Sequence, residues 1–355
     1  MPETIWSRRR FLRTGALGAV GVAAAACSAG TTTADRSPSR SPASPPTGPA
    51  SSSPEPTLRT LAWRRLGAEG PAARRDHAFA GFEDGALLFG GSRRGEPMND
   101  LWFYANGDWS ELSGDGPSPR FGLNAIVTDG SLIVFGGQGR GNEFFNDAWR
   151  YDIDARRWRQ LQPKGSAPAK RYGASSVAHG SDLIVSHGFT FQGRFDDTRS
   201  LRSDPPRWRD LTPPGTKPVE RCLHRAALLE ATNTMLLFGG QTTGTPYLGD
   251  TWLFDFAEGE WRKMPGDGPS PRNLYAMIGV EGQAYLFGGL ASGGALRDTW
   301  LFDGAAWREL SPEGDPPPGR GGVEGALTAG GTMLVFGGSD GSGELDDLWE
   351  LTLPG

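Results

Sequence analysis

The chain has 355 residues, enough for two average domains or for one large repeat architecture. Its 53 Gly, 28 Pro and 12 Trp are all high, a composition suited to many short strands joined by tight turns. The formal charge is −5, of which the basic cluster Arg8, Arg9, Arg10 and Arg13 with Glu3 carries +3, so the remainder carries −8 and argues against a nucleic-acid partner.

The chain begins with Ser7-Arg8-Arg9-Arg10-Phe11-Leu12-Arg13, followed by an Ala- and Gly-rich apolar run over residues 16–26. That run is shorter than the roughly 20 residues a membrane-crossing helix needs, so it reads as the apolar part of a signal peptide. The paired arginines resemble the twin-arginine export signal. Ala24-Ala25-Ala26-Cys27 resembles a bacterial lipobox, with Ala24 standing where Leu or Val is usual. Two readings compete here: lipidation of Cys27, or ordinary cleavage in the Ala-rich stretch with Cys27 incidental. Residues 1–27 are therefore assigned to the signal. Residues 28–57, dominated by Ser, Pro, Thr and Ala, have too little apolar surface to offset ordering entropy and read as an extended spacer. Cys222 is then alone, so an internal disulfide is not expected.

The rest of the chain repeats in four parts. An apolar run ends in Gly-Gly at Gly90-Gly91, Gly136-Gly137, Gly239-Gly240, Gly288-Gly289 and Gly337-Gly338, with Ser186-His187-Gly188 as the degenerate copy. Asp-x-Trp follows at Trp102, Trp149, Trp252, Trp300 and Trp349, and Asp197-Thr198-Arg199 is again degenerate. A second tryptophan comes next at Trp109, Trp158, Trp208, Trp261 and Trp307. Pro-x-x-Arg closes the unit, with arginines at 74, 120, 171, 221, 272 and 320. The Gly-Gly positions recur every 46 to 52 residues, a propeller period. Together the four parts resemble the kelch repeat over residues 62–353. The resemblance implies an all-β, six-bladed β-propeller over residues 58–355. The last repeat lacks its second tryptophan and Trp63-Arg64-Arg65-Leu66 supplies it, so an N-terminal strand is expected to complete the last blade.

The resemblance places the Pro-x-x-Arg links and the loops after Gly-Gly around one mouth of a central channel. Arg171 and Arg221 are then candidates for holding an acidic ligand, against the plainer reading that each repeat arginine bonds a neighbouring blade's backbone. The third repeat departs most, and its loop carries Phe189, Phe191 and Arg194. The preceding loop adds Arg140, Asn142, Phe144 and Phe145. These suit stacking on a sugar or holding a peptide, or else they pack the loops onto the propeller. His77 and His224 each follow a repeat arginine by three residues, with Tyr275 at the same place in the fifth repeat. On opposite sides of a six-fold ring the two histidines are too far apart to share one ion, so neither metal nor cofactor is expected.

The expected function is a monomeric binding module on the outer face of the cell membrane or secreted, held by its N-terminal lipid. Its partner is a protein or an anionic glycan or peptide. The alternatives are a sugar-acid isomerase resembling sialic-acid mutarotases, with Glu143, Glu220 and Glu324 as candidate acids and bases, and a copper oxidase resembling galactose oxidase. The latter family needs a Tyr–Cys cross-link, for which only Cys222 is at hand.

Overall fold

An apolar run bounded by turn residues can bury both of its faces, and in each repeat it becomes the second strand of a four-stranded antiparallel sheet. The computed structural model describes residues 59–354 apart from 68 and 113, all within a unit spanning residues 56–355. The signal and lipobox over residues 1–27 and the spacer over 28–57 lie outside the described residues.

Six sheets form the blades. Blade 1 is Ala78–Phe82, Gly85–Phe89, Leu101–Ala105 and Asp108–Leu112. Blade 2 is Asn124–Thr128, Ser131–Phe135, Ala148–Asp152 and Arg157–Gln160. Blade 3 is Ser175–His179, Asp182–Thr190, Gly193–Ser203 and Pro206–Asp210. Blade 4 is Arg225–Leu229, Thr234–Thr242, Thr245–Asp255 and Glu260–Lys263. Blade 5 is Ala276–Val280, Gln283–Ala291, Gly294–Phe302 and Trp307–Leu310. Blade 6 joins Glu324–Leu327, Thr332–Phe336 and Leu348–Thr352 to the N-terminal strand Ala62–Leu66, with Ala62 opposite Thr352 and Leu66 opposite Leu348. The first strands of consecutive blades touch around the whole circle, blade 6 meeting blade 1, so the propeller is closed.

The core is divided among the blade interfaces, one apolar cluster to each. Between blades 5 and 6 it is built from Phe287, Leu301, Val335 and Leu351, with Trp63 of the closing strand tilted against Phe287 at 4.8 Å. Each such buried side chain stabilises by ~1.5–3 kcal/mol.

The Pro-x-x-Arg and Asp-x-Trp parts prove to be one device. Arg74 donates through both terminal nitrogens to Asp100, at 2.7 and 2.6 Å, and also to the carbonyls of Gly90 and Ala72. The Trp102 indole donates to the same carboxylate at 2.7 Å. The five other repeat arginines hold Asp147, Asp197, Asp250, Asp298 and Asp347 in the same way. Burial pushes these carboxyls up, but the arginine bonds outweigh it and hold them below the ordinary aspartate range. Each arginine's backbone meanwhile bonds the preceding blade, as in Arg120 N–H to Met98 O and Gly91 N–H to Arg120 O. Side chain to its own blade and main chain to the previous one, the arginine rivets the two together.

Two residues beyond each rivet the chain takes a left-handed conformation: Asp76, Gly122, Gly173, Leu223, Leu274 and Gly322, with φ between 55° and 67°. These six form a closed circle of backbone hydrogen bonds. Gly122 N–H donates to Asp76 O, Gly173 to Gly122, Leu223 to Gly173, Leu274 to Leu223, Gly322 to Leu274 and Asp76 to Gly322, at 2.7–3.0 Å. At Gly122 the glycine is also needed for room, because a Cβ would lie 2.0 Å from the Tyr172 ring. Holding Asp76, Leu223 and Leu274 in this conformation costs about 1–2 kcal/mol each, which the closed circle offsets. The circle closes round one end of the central channel, where only about 10 Å³ of free space remains between it and Arg225 and Glu324.

Candidate functional site

Beyond the glycine pairs, on the sealed face, the blades end differently. Blades 3, 4 and 5 extend as hairpins, whereas blade 1 has only the ribbon Ser92–Arg93 with Glu96–Pro97 and blade 2 a single turn, Arg140–Asn142. The structure brings together the aromatic candidates of blades 2 and 3. Phe144 meets Phe189 at 6.2 Å and Phe191 at 5.2 Å, and the latter two lie 5.8 Å apart, all edge to face. Arg194 places its guanidinium 5.3 Å from the Phe189 ring and donates to Thr243 of blade 4 at 3.0 Å. Phe144 is buried and Phe189 half-buried, while Phe191 is 63 % exposed, the most exposed large apolar side chain among the described residues. The two readings of these rings are therefore divided between residues: Phe144 packs the loops, and Phe191 faces solvent. A groove beside them is lined by Lys170, Thr190, Gln192, Arg194 and Phe195. Arg140 stays exposed and pairs with Glu96 of the blade 1 ribbon.

Four candidates are corrected by their burial. Arg171 and Arg221 have no exposure, and their guanidinium donors are engaged by Asp197 and Asp250, so they hold blades rather than face a ligand. The expectation that a repeat arginine's side chain bonds a neighbouring blade also changes, since it bonds its own. His77 and His224 are sealed between blades. His77 packs edge-on against Phe336 of blade 6 at 5.7 Å, and burial pulls its pKa down to about 3. His224 Nε2 pairs with Ser175 Oγ at 2.7 Å and its ring lies 5.3 Å from that of His187. His187 occupies a left-handed position (φ 61°) where the five other blades have glycine, and burial likewise pulls its pKa to about 3. It sits 6.2 Å from Trp261. At two other interfaces the equivalent tryptophans donate to a threonine, Trp307 to Thr251 and Trp63 to Thr299; here Trp261 Nε1 and Thr198 Oγ1 lack partners among the described residues.

Below the circle the channel widens into a cavity of about 350 Å³ lined by the first strands of all six blades and extending to Glu230 at the far face. Its floor is the fourth residue after the rivet arginine in five of the blades, Ala78, Asn124, Ser175, Arg225 and Glu324, while Ala276 at the same place in blade 5 is buried beside it. The small Ala276 between them lets Arg225 Nη2 reach Glu324 Oε1 at 2.6 Å. Arg225 also donates from Nε to Tyr275 O at 3.1 Å. Burial pushes the Glu324 carboxyl up to about 7 against the pull of Arg225, and burial also raises the Asp76 carboxyl above the ordinary aspartate range. Arg225 was missed from the sequence. The signal lay in register, since Arg and Glu stand at a position that is otherwise Ala, Ser or Asn. Glu143 and Glu220 are exposed elsewhere, so the three glutamates considered as acids and bases do not share a site.

Among the described residues no three His, Cys, Asp or Glu are grouped to hold a metal ion. Cys222 is buried, with Gln241 Nε2 3.6 Å from its sulfur, and burial pushes its thiol pKa up.

A closed ring of six four-stranded antiparallel blades, latched by an N-terminal strand, defines a β-propeller. The chain belongs to the kelch-repeat family: the family model KLHDC2/KLHL20/DRC7 Kelch-repeats domain matches residues 56–188 and again 189–354. Adagio-like protein 1 of Oryza sativa subsp. japonica is 28% identical over 332 residues, which cover 84% of this chain and 52% of that protein. Kelch domain-containing protein 10 of Xenopus tropicalis is 27% identical over 313 residues, 80% of this chain and 75% of that protein. The chain spans between 38% and 52% of the three rice adagio-like relatives it matches.

Proposed function

We propose that this chain is a binding propeller, exported and tethered outside the cell, that holds an acidic peptide or anionic glycan on its sealed face. The observation that carries the reading is the exposed Phe191, braced edge-on by Phe144 and Phe189 and flanked by Arg194. An aromatic held in place by its neighbours loses little entropy on contact, and the guanidinium beside it supplies charge-assisted donors. The two charged residues lining the adjoining groove, Lys170 and Arg194, are both cationic against an acidic remainder, which favours an anionic partner there.

The test is a screen of the full chain against acidic and neutral peptides and glycans. Acidic ligands are expected to bind, and Phe191→Ser to weaken them at least tenfold with the melting temperature unchanged. Neutral ligands alone, or binding indifferent to Phe191→Ser, would sink the reading. Export and tethering rest on Arg8, Arg9 and Cys27. Cys27→Ala is expected to move the protein from the membrane fraction to the medium, and continued retention would remove the lipid anchor from the proposal.

A further inference from the structure

The cavity below the backbone circle opens on the face opposite the aromatic loops, and its wall and floor differ in chemistry. The wall includes Val127, Val177, Met277, Ile278 and Leu327. Of the residues lining it, only Arg225, Glu230 and Glu324 carry charge, and Arg225 and Glu324 meet at the floor. The Glu324 side chain is 22% exposed, so its carboxyl reaches the cavity. Arg225 spends Nε on Tyr275 O at 3.1 Å and one Nη2 hydrogen on Glu324 at 2.6 Å. Its Nη1 has only a 3.4 Å contact with His224 O and its Nη2 a second one with Val323 O, so donor capacity is left over.

We infer that this blind channel binds a small monocarboxylate, its carboxylate on Arg225 and its short alkyl part against the apolar wall, with one proton taken up by Glu324. A planar carboxylate matches the guanidinium fork, and a cavity of this volume accommodates a short chain. Charge decides the proton. Arg225, Asp76 and ionised Glu324 together carry −1, and a second carboxylate beside Glu324 would add uncompensated charge in a poorly solvated space. Protonating Glu324 as the ligand enters restores the same total. The other titratable or charged groups round this cluster are His77 and Arg75 of blade 1's entry, Tyr172, His224, Tyr275 and Glu344, with the rivet arginines Arg74, Arg221 and Arg272 behind them and Glu230 at the far end of the cavity. His77, His224 and Tyr275 are held neutral by burial, and Arg75 faces Asp76 and Glu344 at 3.9 Å each. Burial raises both Asp76 and Glu324, and Glu324, raised to about 7, is the one of the two that lines the cavity.

The experiment is calorimetry of the full chain with sodium hexanoate at pH 6, 7 and 8, each in two buffers of different ionisation enthalpy, with hexanol as the neutral control. Binding is expected at pH 6, weakening up to tenfold per pH unit above 7, with about one proton taken up at pH 8 and no such dependence for hexanol. Glu324→Gln, which keeps the shape and removes the charge, is expected to bind hexanoate at all three pH values without proton uptake. Arg225→Met is expected to lose binding; should it not fold, the Glu324→Gln profile decides alone. No binding at pH 6, equal affinity at pH 6 and 8 without proton uptake, or a Glu324→Gln profile that still follows pH would each overturn the inference.

Discussion

Blade 3 and its five neighbours solve the same packing problem with different residues. In the five, glycine occupies the left-handed position, tryptophan caps the rivet carboxylate, and the apolar run ends in phenylalanine. Blade 3 has His187, Arg199 and Ser186 at these places, yet its rivet survives: Arg171 holds Asp197 at 2.7 and 3.0 Å, and Arg199 takes the indole's place at 3.1 Å. The comparison separates what the ring needs from what it tolerates. The Arg–Asp pair is kept in all six blades, and its surroundings vary.

The largest expected effect breaks the rivet. Arg272→Met leaves the Asp298 carboxylate without its cation and should cost about 3–5 kcal/mol in urea unfolding. The same change at Arg171 should cost clearly less, because Arg199 remains on Asp197. Equal losses at the two sites would show that Arg199 does not substitute. A smaller effect sharpens the comparison from the histidine side. His187 and His77 have folded pKa values of about 3, below the ordinary 6.5, and His224 is lowered too. Below pH 6.5 the unfolded chain therefore takes up protons that the folded chain refuses, and stability should fall as pH drops from 6.5 towards 3. His187→Gly removes one such group and the strained backbone at that position. It should change stability at pH 7.5 by no more than about 1 kcal/mol and lessen the loss between pH 7.5 and 4.5. An unaltered acid profile would clear His187 of responsibility.

The four-part repeat made the propeller, its six blades and its closing strand legible in the sequence, because each part is a backbone or packing requirement repeated six times. What the repeat arginines do was not legible. A buried rivet and a ring of ligand-binding cations have the same spacing, and only the bidentate grip on Asp100 and its counterparts tells them apart. The backbone circle was half hidden, since glycine marks it at 122, 173 and 322 but Asp76, Leu223 and Leu274 do not. The aromatic loops were found as departures from the repeat, though their sequence could not say that Phe144 turns inward while Phe191 turns out. Arg225 escaped because it belongs to no motif. It matters through the channel floor it shares with Glu324 of a blade two places away.

The backbone circle has an electrical consequence. Its six peptide dipoles run head to tail around a closed path, so they have no ends at which partial charge collects, unlike the peptide dipoles of a helix. Every N–H of the circle is spent on the next carbonyl, leaving no donor aimed down the channel axis. An ion entering the cavity therefore meets no anion-attracting backbone at the bottom. The field there is set by side chains, Arg225, Glu324 and Asp76 nearest among them, and one proton on Glu324 changes their sum from −1 to zero.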